Sequence, residues 1–178
     1  MIAVAAADRL DAALLVLRVF AGYMIIRHGY AHVWPSKIQG TAKWFASMGM
    51  RPPLVQAWLA SITELGSGAL LVLGFLTSLG AAGLLGVMAV AFWIEHRRRG
   101  FFIYLPGQGW EYVAMIACVA LLLGTVGPGR FSVDNGIDLS LFNDWKGLIV
   151  TLVGGLGGAA LLLATCWTDP KKAKPASA

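Results

Sequence analysis

Five long apolar stretches, separated by short segments that hold nearly all of the charge, constrain this chain more than any other feature. They cover roughly residues 10–31, 55–76, 79–94, 110–126 and 147–167, and about 20 apolar helical residues are needed to cross a bilayer. Each stretch is continuously apolar rather than alternating, so helices are predicted and a barrel is not. Because 13% of the residues are charged, about half the share in a soluble domain, the sequence excludes a soluble fold.

The predicted fold is an all-α membrane protein that forms one compact domain. A short N-terminal tail (1–9) precedes the main transmembrane domain (10–138). A loop and a fifth transmembrane helix follow (139–168), and a disordered basic tail (169–178) ends the chain. Between the first two spans, the aromatic and basic residues of WPSKIQGTAKWFASMGMRPP predict a short interfacial helix bounded by prolines.

Basic residues are distributed unevenly between the two ends of the predicted bundle. With five spans, one end holds Arg27, Lys37, Lys43, Arg51, Arg97, Arg98, Arg99, Lys171, Lys172 and Lys174. The positive-inside rule assigns this end to the cytoplasm, with the N-terminus outside and the C-terminus inside. The formal charge of +5 therefore reflects loop asymmetry, and no nucleic-acid partner is predicted.

Arg18 and Glu64 each lie inside a predicted span, where an ionizable residue costs about 2.5–3.5 kcal/mol on insertion scales. Counted along their helices, they lie about 12 and 15 Å from opposite ends of the bundle. Across a hydrocarbon core about 30 Å thick these depths nearly coincide, which predicts a buried ion pair. Such a pair either locks two helices together or lines a proton or ligand site.

Three histidines and a glutamate are predicted to lie near the cytoplasmic end: His28, His32, His96 and Glu111. His28 and His32 are four residues apart and therefore share one side of the first helix. A histidine beside a carboxylate can hydrogen-bond a quinone headgroup or relay protons. The plainer interpretation is a set of interfacial histidines that reach water. A metal ion or haem suits the set less well, because no metal-binding motif is complete.

Small residues within the spans favour packing rather than chemistry. Cys118 and Cys166 lie in apolar stretches without a C-x-x-C motif, which is typical of small core residues. Glycine-rich runs such as GAAGLLG and GGLGG predict close helix contacts, and Gly154 and Gly158 form a G-x-x-x-G motif.

Several segments share the patterns of one known family. LLVLRVFAGYMIIRHGY and ELGSGALLVLGFLTSLGA carry Arg18, Gly22, His28, Gly29, Glu64, Gly68, Gly74 and Thr77, and Glu111 opens the fourth span. The loop GPGRFSVDNGID carries Gly127, Pro128, Gly129, Arg130, Ser132 and Asp134. Together with TAKWFASMGMRPP, these segments resemble the DoxX family of small bacterial membrane proteins. The similarity extends over residues 14–138.

The resemblance implies a four-helix transmembrane bundle of DoxX type, to which the fifth span is an addition. It also implies links to bacterial membrane redox systems, such as thiosulfate–quinone oxidoreductase subunits and oxidative-stress complexes. His32 is a departure, because the family often has a lysine soon after the His-Gly pair.

We therefore expect a multi-pass protein of the bacterial cytoplasmic membrane that is an accessory subunit of a redox or respiratory assembly and contacts quinone. Its expected partners are the lipid bilayer and a larger membrane protein complex. Three alternatives remain: a quinone-linked oxidoreductase in its own right, a small proton or solute transporter built around Arg18 and Glu64, and a purely structural partner.

Overall fold

The computed structural model describes residues 2–34, 37–139 and 144–171, with side chains from residue 7 onward, and these residues form helices and no strand. The helices are α1 (Ile2–Val33), α2 (Lys37–Ser47), α3 (Pro53–Leu73), α4 (Thr77–His96), α5 (Glu111–Val126), the single turn α6 (Val133–Gly136) and α7 (Asp144–Cys166). Two of them contain π-helical segments, Phe92–His96 at the end of α4 and Val153–Gly157 within α7.

The predicted spans correspond to helices. Within the described residues, α3, α4 and α7 are long and apolar enough to cross a membrane, and α5 is apolar but shorter, with 16 residues. The first span lies within α1, whose 32 residues begin at Ile2. The first helix thus extends back over residues 2–9, which the sequence had suggested were a tail. An all-α membrane fold is confirmed, and α2 confirms the predicted short helix between the first two spans.

Helices α1 and α3 pack closely through glycines. A Cβ atom added to Gly22 would lie 2.6 Å from the Gly68 carbonyl oxygen, and one added to Gly68 would lie 2.6 Å from the Gly22 oxygen. Further along, a Cβ on Gly29 would lie 2.9 Å from the Glu64 Cβ. Any larger side chain would force the backbones apart, so these glycines fix the register of the antiparallel pair.

Helix α4 is the centre of the bundle and packs against α3, α5 and α7. Ala81 and Leu84 on α4 are fully buried. Helix α7 runs alongside α4, since the Thr151 hydroxyl donates to the Ser78 carbonyl oxygen at 3.2 Å. One turn further on, a Cβ on Gly155 would lie 2.8 Å from the Ala82 oxygen, so a glycine again permits the close approach that the sequence predicted.

The two ends of the bundle differ in character. At one end, here called the basic end, lie α2, the end of α4, the start of α5 and residues 166–171, together with most of the described basic residues. The segment after α7 is bound to this end: the Arg51 N–H donates to the Cys166 oxygen at 2.7 Å, and the Thr168 N–H donates to the Gly49 oxygen at 3.0 Å. The opposite end, here called the loop end, carries residues 127–139. That the basic end faces the cytoplasm stays a prediction.

An ion pair joins the segment after α7 to the end of α4, since Arg98 Nη2 lies 2.9 Å from Asp169 Oδ2. Hydrogen bonds from the Lys171 backbone N–H and from the Arg98 side chain lower the pKa of Asp169 below its ordinary value. Of the tail predicted to be disordered, residues 169–171 are therefore placed by contacts, and residues 172–178 lie outside the described residues.

Candidate functional site

Arg18 is bound entirely by backbone carbonyl groups at the loop end. Its side chain is almost fully buried, with 1% exposed. It donates to the oxygens of Leu71 and Val72, at the end of α3, at 3.2 and 2.6 Å. It also donates to the oxygens of Pro128, at 3.2 Å, and Phe131. Arg18 therefore fastens three segments of the chain together at this end.

The predicted ion pair between Arg18 and Glu64 is wrong. A Cβ on Gly74 would lie 2.9 Å from the Arg18 Cζ, whereas Glu64 lies opposite Gly29. Because ten residues of helix separate Gly74 from Glu64, the two charged groups are about 15 Å apart along the bundle. The sequence-based depths of Arg18 and Glu64 are counted from assumed helix ends and without the α1–α3 register. The similar depths that this count gives are therefore wrong.

The side chains of the motif loop, residues 127–134, form hydrogen bonds that stabilise the starts of two helices. The Asp134 carboxylate accepts hydrogen bonds from the N–H groups of Leu76 and Thr77, at 2.8 and 3.1 Å, and from the Thr77 hydroxyl at 3.0 Å. It thereby satisfies N–H groups that the start of α4 leaves free, and its negative charge suits a helix N-terminus. Ser132 does the same for α6, because its hydroxyl accepts from the Asn135 N–H at 3.2 Å.

The remaining motif residues turn the chain and bind it to α1. Gly127 and Gly129 have φ values of 83° and 74°, which favour glycine. Arg130 donates from its side chain to Asp8 at 2.6 Å and from its backbone N–H to Asp11 at 2.9 Å. The motif loop thus connects α1 to the start of α4. The sequence could not show which helices it connects.

A cavity of about 650 Å³ lies between α3, α4 and α7 and reaches the basic end. This volume is within the range of small-molecule sites. Small residues form much of its wall, including Ala82, Gly83, Gly86, Gly155 and Gly158. Its ionizable lining groups are His32, Glu64, Glu95 and His96.

Glu64 and His32 are the central polar groups of this cavity. Glu64 is 5% exposed, and its Oε2 atom lies 3.2 Å from His32 Nε2. The imidazole is within ion-pair distance of Oε2, and Oε2 has no hydrogen-bond partner among the described residues. Buried polar atoms are almost always hydrogen-bonded, and leaving one unsatisfied costs about 1–3 kcal/mol. The cavity therefore presents a buried acceptor that lacks a donor.

Aromatic side chains of α2 hold His32 in place. The Trp44 ring is stacked with the imidazole at a centroid distance of 6.4 Å, and Phe45 meets it edge-on at 5.9 Å. The His32 backbone oxygen accepts from the Thr41 hydroxyl at 2.8 Å. The interfacial helix thus forms the wall of the site next to the imidazole.

The four residues predicted as one polar site are divided by the structure. His32 and His96 line the cavity, and His96 Nδ1 lies 2.9 Å from the Gln108 oxygen. His28 is exposed and lies outside the cavity lining. Glu111 also lies outside it and accepts from the Ile103 N–H at 2.9 Å, which holds the segment before α5.

Sequence reasoning missed the pairing of His32 with Glu64. The available signal was the spacing of His32 three residues after Gly29, which places both residues on the side of α1 that faces α3. Within the described residues, no group of three or more His, Cys, Asp or Glu side chains is placed to hold a metal ion.

A model of the DoxX family matches residues 13–97. Residues 13–97 therefore form a DoxX domain. The matched region covers most of α1 and all of α2 to α4, and it contains every ionizable group of the cavity. The motif loop and α7 lie beyond the DoxX match, so the resemblance of the loop to the family rests on its residues alone. No curated protein and no solved structure matches the chain.

Proposed function

We propose that this DoxX protein binds a quinone in the cavity, with the headgroup beside Glu64 and His32, as an accessory subunit of a membrane redox assembly. The observation that carries the proposal is the buried Oε2 atom of Glu64, which has no hydrogen-bond partner among the described residues and faces a largely apolar cavity. A quinone ring needs apolar walls with one or two polar groups at its oxygens, and the cavity combines these features.

The two side chains suit both redox states of such a ligand. A reduced quinone carries hydroxyl groups, one of which can donate to the free Glu64 oxygen. An oxidized quinone carries carbonyl groups, which accept from the His32 ring when its Nε2 bears a proton. Because carboxylate and imidazole are adjacent, a proton released from the hydroxyl has an acceptor within the site.

A transporter built around Arg18 and Glu64 has less support. The two residues are about 15 Å apart along the bundle. All four hydrogen bonds of the Arg18 side chain go to backbone carbonyl groups at the loop end, whereas the cavity extends toward the basic end.

Quinone binding is tested with purified protein in lipid nanodiscs. A short-tailed quinone titrated into the sample should quench the fluorescence of Trp44, which lines the cavity. Glu64→Gln should raise the Kd of the reduced quinone, and His32→Asn the Kd of the oxidized quinone, at least tenfold, since a hydrogen bond to a charged group contributes about 1.5–3 kcal/mol and 1.4 kcal/mol is tenfold. His28→Asn is the matched control, one turn away on the same helix, and should stay within twofold.

Two results decide the matter. Tenfold losses in the first two variants, with helical content unchanged by circular dichroism, would support the site. Binding of the reduced quinone that is equally tight in Glu64→Gln, or quinone binding that is absent from the unmodified protein, would overturn it.

Membership of a redox assembly needs a separate experiment. Purification from native membranes, followed by mass spectrometry, should recover a redox protein in stoichiometric amount together with bound quinone. Recovery of this chain alone, under detergent conditions that preserve known respiratory complexes, would contradict an accessory role.

A further inference from the structure

The cavity has a side opening between α3 and α7. Both helices pack against α4, whose small residues form the floor between them. Leu59 on α3 and Gly158 on α7 line the cavity, yet Leu59 is 45% exposed and Gly158 is also exposed. A Cβ on Gly158 would meet no atom within 4 Å, so the space beside this residue is open. Residues on the two flanking helices therefore face the cavity and the surroundings of the bundle at once.

This opening lies at the depth of Glu64. A Cβ added to Gly83 of α4 would contact Ser67 and Thr63 of α3. Because the two helices are antiparallel, this contact places Glu64 close to residues 83–87 of α4. On α7, a Cβ added to Gly155 would meet Ala82 and Leu85, and Gly158 is one turn further toward the basic end. Glu64 and Gly158 thus agree in depth to within about one helical turn of 5.4 Å.

At the level of Glu64, the opening is also far from both ends of α4. Residue 86 of α4 is nine residues from Thr77, the first residue of the helix, or about 14 Å along the axis. In a hydrocarbon core about 30 Å thick, this position is close to the middle. Whatever passes between α3 and α7 at this depth comes from the acyl chains and not from water.

We infer that the ligand of the Glu64 site enters sideways from the hydrocarbon core, between Leu59 and Gly158, and that the lack of a side chain at Gly158 keeps this entrance open. The inference rests on the proposed function. It defines the ligand class as a quinone that is dissolved in the bilayer and carries a long apolar tail, which stays in the entrance or in the lipid after the headgroup reaches Glu64. The small-residue wall alone would not indicate a ligand. The buried Oε2 atom of Glu64 at the same depth, which accepts no hydrogen bond from the described residues, does so.

Gly157 supplies a matched control for Gly158. A Cβ on either glycine meets no atom within 4 Å, both residues are exposed, and both are helical with φ near −60°. They differ in that Gly158 lines the cavity and Gly157 does not. Gly158→Leu and Gly157→Leu should therefore both fold, and only the first should place a side chain in the entrance.

The test measures how fast a decyl-tailed quinone associates with protein in nanodiscs, by stopped-flow quenching of tryptophan fluorescence. Gly158→Leu should slow association at least tenfold, whereas Gly157→Leu should stay within twofold of the unmodified protein. If Gly158→Leu associates at the unmodified rate while Glu64→Gln still weakens binding, the lateral entrance is refuted and the quinone site stands. If the unmodified protein binds no quinone and retains only phospholipid, both proposals fail.

Discussion

Replacing Arg18 with methionine tests whether Arg18 binds backbone carbonyl groups, as in the structure, or Glu64, as the sequence suggested. The change removes four hydrogen bonds to carbonyl groups at positions 71, 72, 128 and 131. At about 1.5–3 kcal/mol for each bond to a charged donor, the gross loss is roughly 6–12 kcal/mol. The cost of burying the guanidinium, several kcal/mol, disappears at the same time. We therefore expect the free energy of unfolding to fall by about 3–5 kcal/mol.

The assay is reversible unfolding in detergent micelles, followed by circular dichroism, for a double-mutant cycle. Arg18→Met and Glu64→Gln should show a coupling free energy below about 0.5 kcal/mol, because sites more than 7–10 Å apart are nearly additive. Arg18→Met and Asp134→Asn share the motif loop and should couple by about 1 kcal/mol or more. A coupling above about 1.5 kcal/mol between Arg18 and Glu64 would show that the two charges interact, and would refute the register described above.

Four further results are expected. Gly68→Ala should lower the free energy of unfolding by about 1–3 kcal/mol, because its Cβ meets a carbonyl oxygen at 2.6 Å, whereas Gly66→Ala on the same helix meets nothing and should not destabilise. Asp134→Asn should cost about 0.5–2 kcal/mol by weakening the cap of α4, while Asp138→Asn, which is exposed and caps nothing described, should change stability by less than about 0.5 kcal/mol. Since the pKa of Asp169 is lowered in the folded protein, its contribution to holding the segment after α7 is present above the unfolded pKa and is lost as pH falls through the folded one. Hydrogen exchange of that segment, corrected for intrinsic rates, should therefore accelerate below about pH 4, and Asp169→Asn should abolish the pH step. Reporter enzymes fused to the C-terminal tail and to the loop before α7 should report cytoplasm and exterior respectively, and the reverse pattern would overturn the assigned orientation.

The sequence predicted the helices well because hydropathy is a local property. The apolar stretches, the interfacial segment and the end of α5 at residue 126 all follow from composition and turn residues. Close helix contacts at glycines were also predictable, since small residues are what such contacts require.

The site was harder to predict because it depends on register. A register shift of about ten residues between α1 and α3 separates a Glu64–Arg18 contact from the Glu64–His32 contact of the structure, and the sequence does not specify which glycines face each other. The cavity depends in addition on α7, which lies far along the chain from α3. His28 and His32 are both on one side of the same helix by spacing, and the packing of α1 against α3 shows that His32 is the one that faces Glu64.

The position of Arg18 has a consequence for how the protein is made. Its hydrogen-bond partner Phe131 follows 113 residues later, and at roughly 5–20 residues per second the ribosome needs about 6–23 s to reach it. Until then α1 carries in the membrane an arginine that lacks half of its carbonyl acceptors, at an insertion cost of about 2.5–3.5 kcal/mol. The hydrogen bonds of Arg18 on α1 are therefore complete only after α5 and the loop that follows it have emerged. A nascent chain whose residues 128–134 are still inside the ribosome should hold α1 less firmly in the bilayer than one in which these residues have left it.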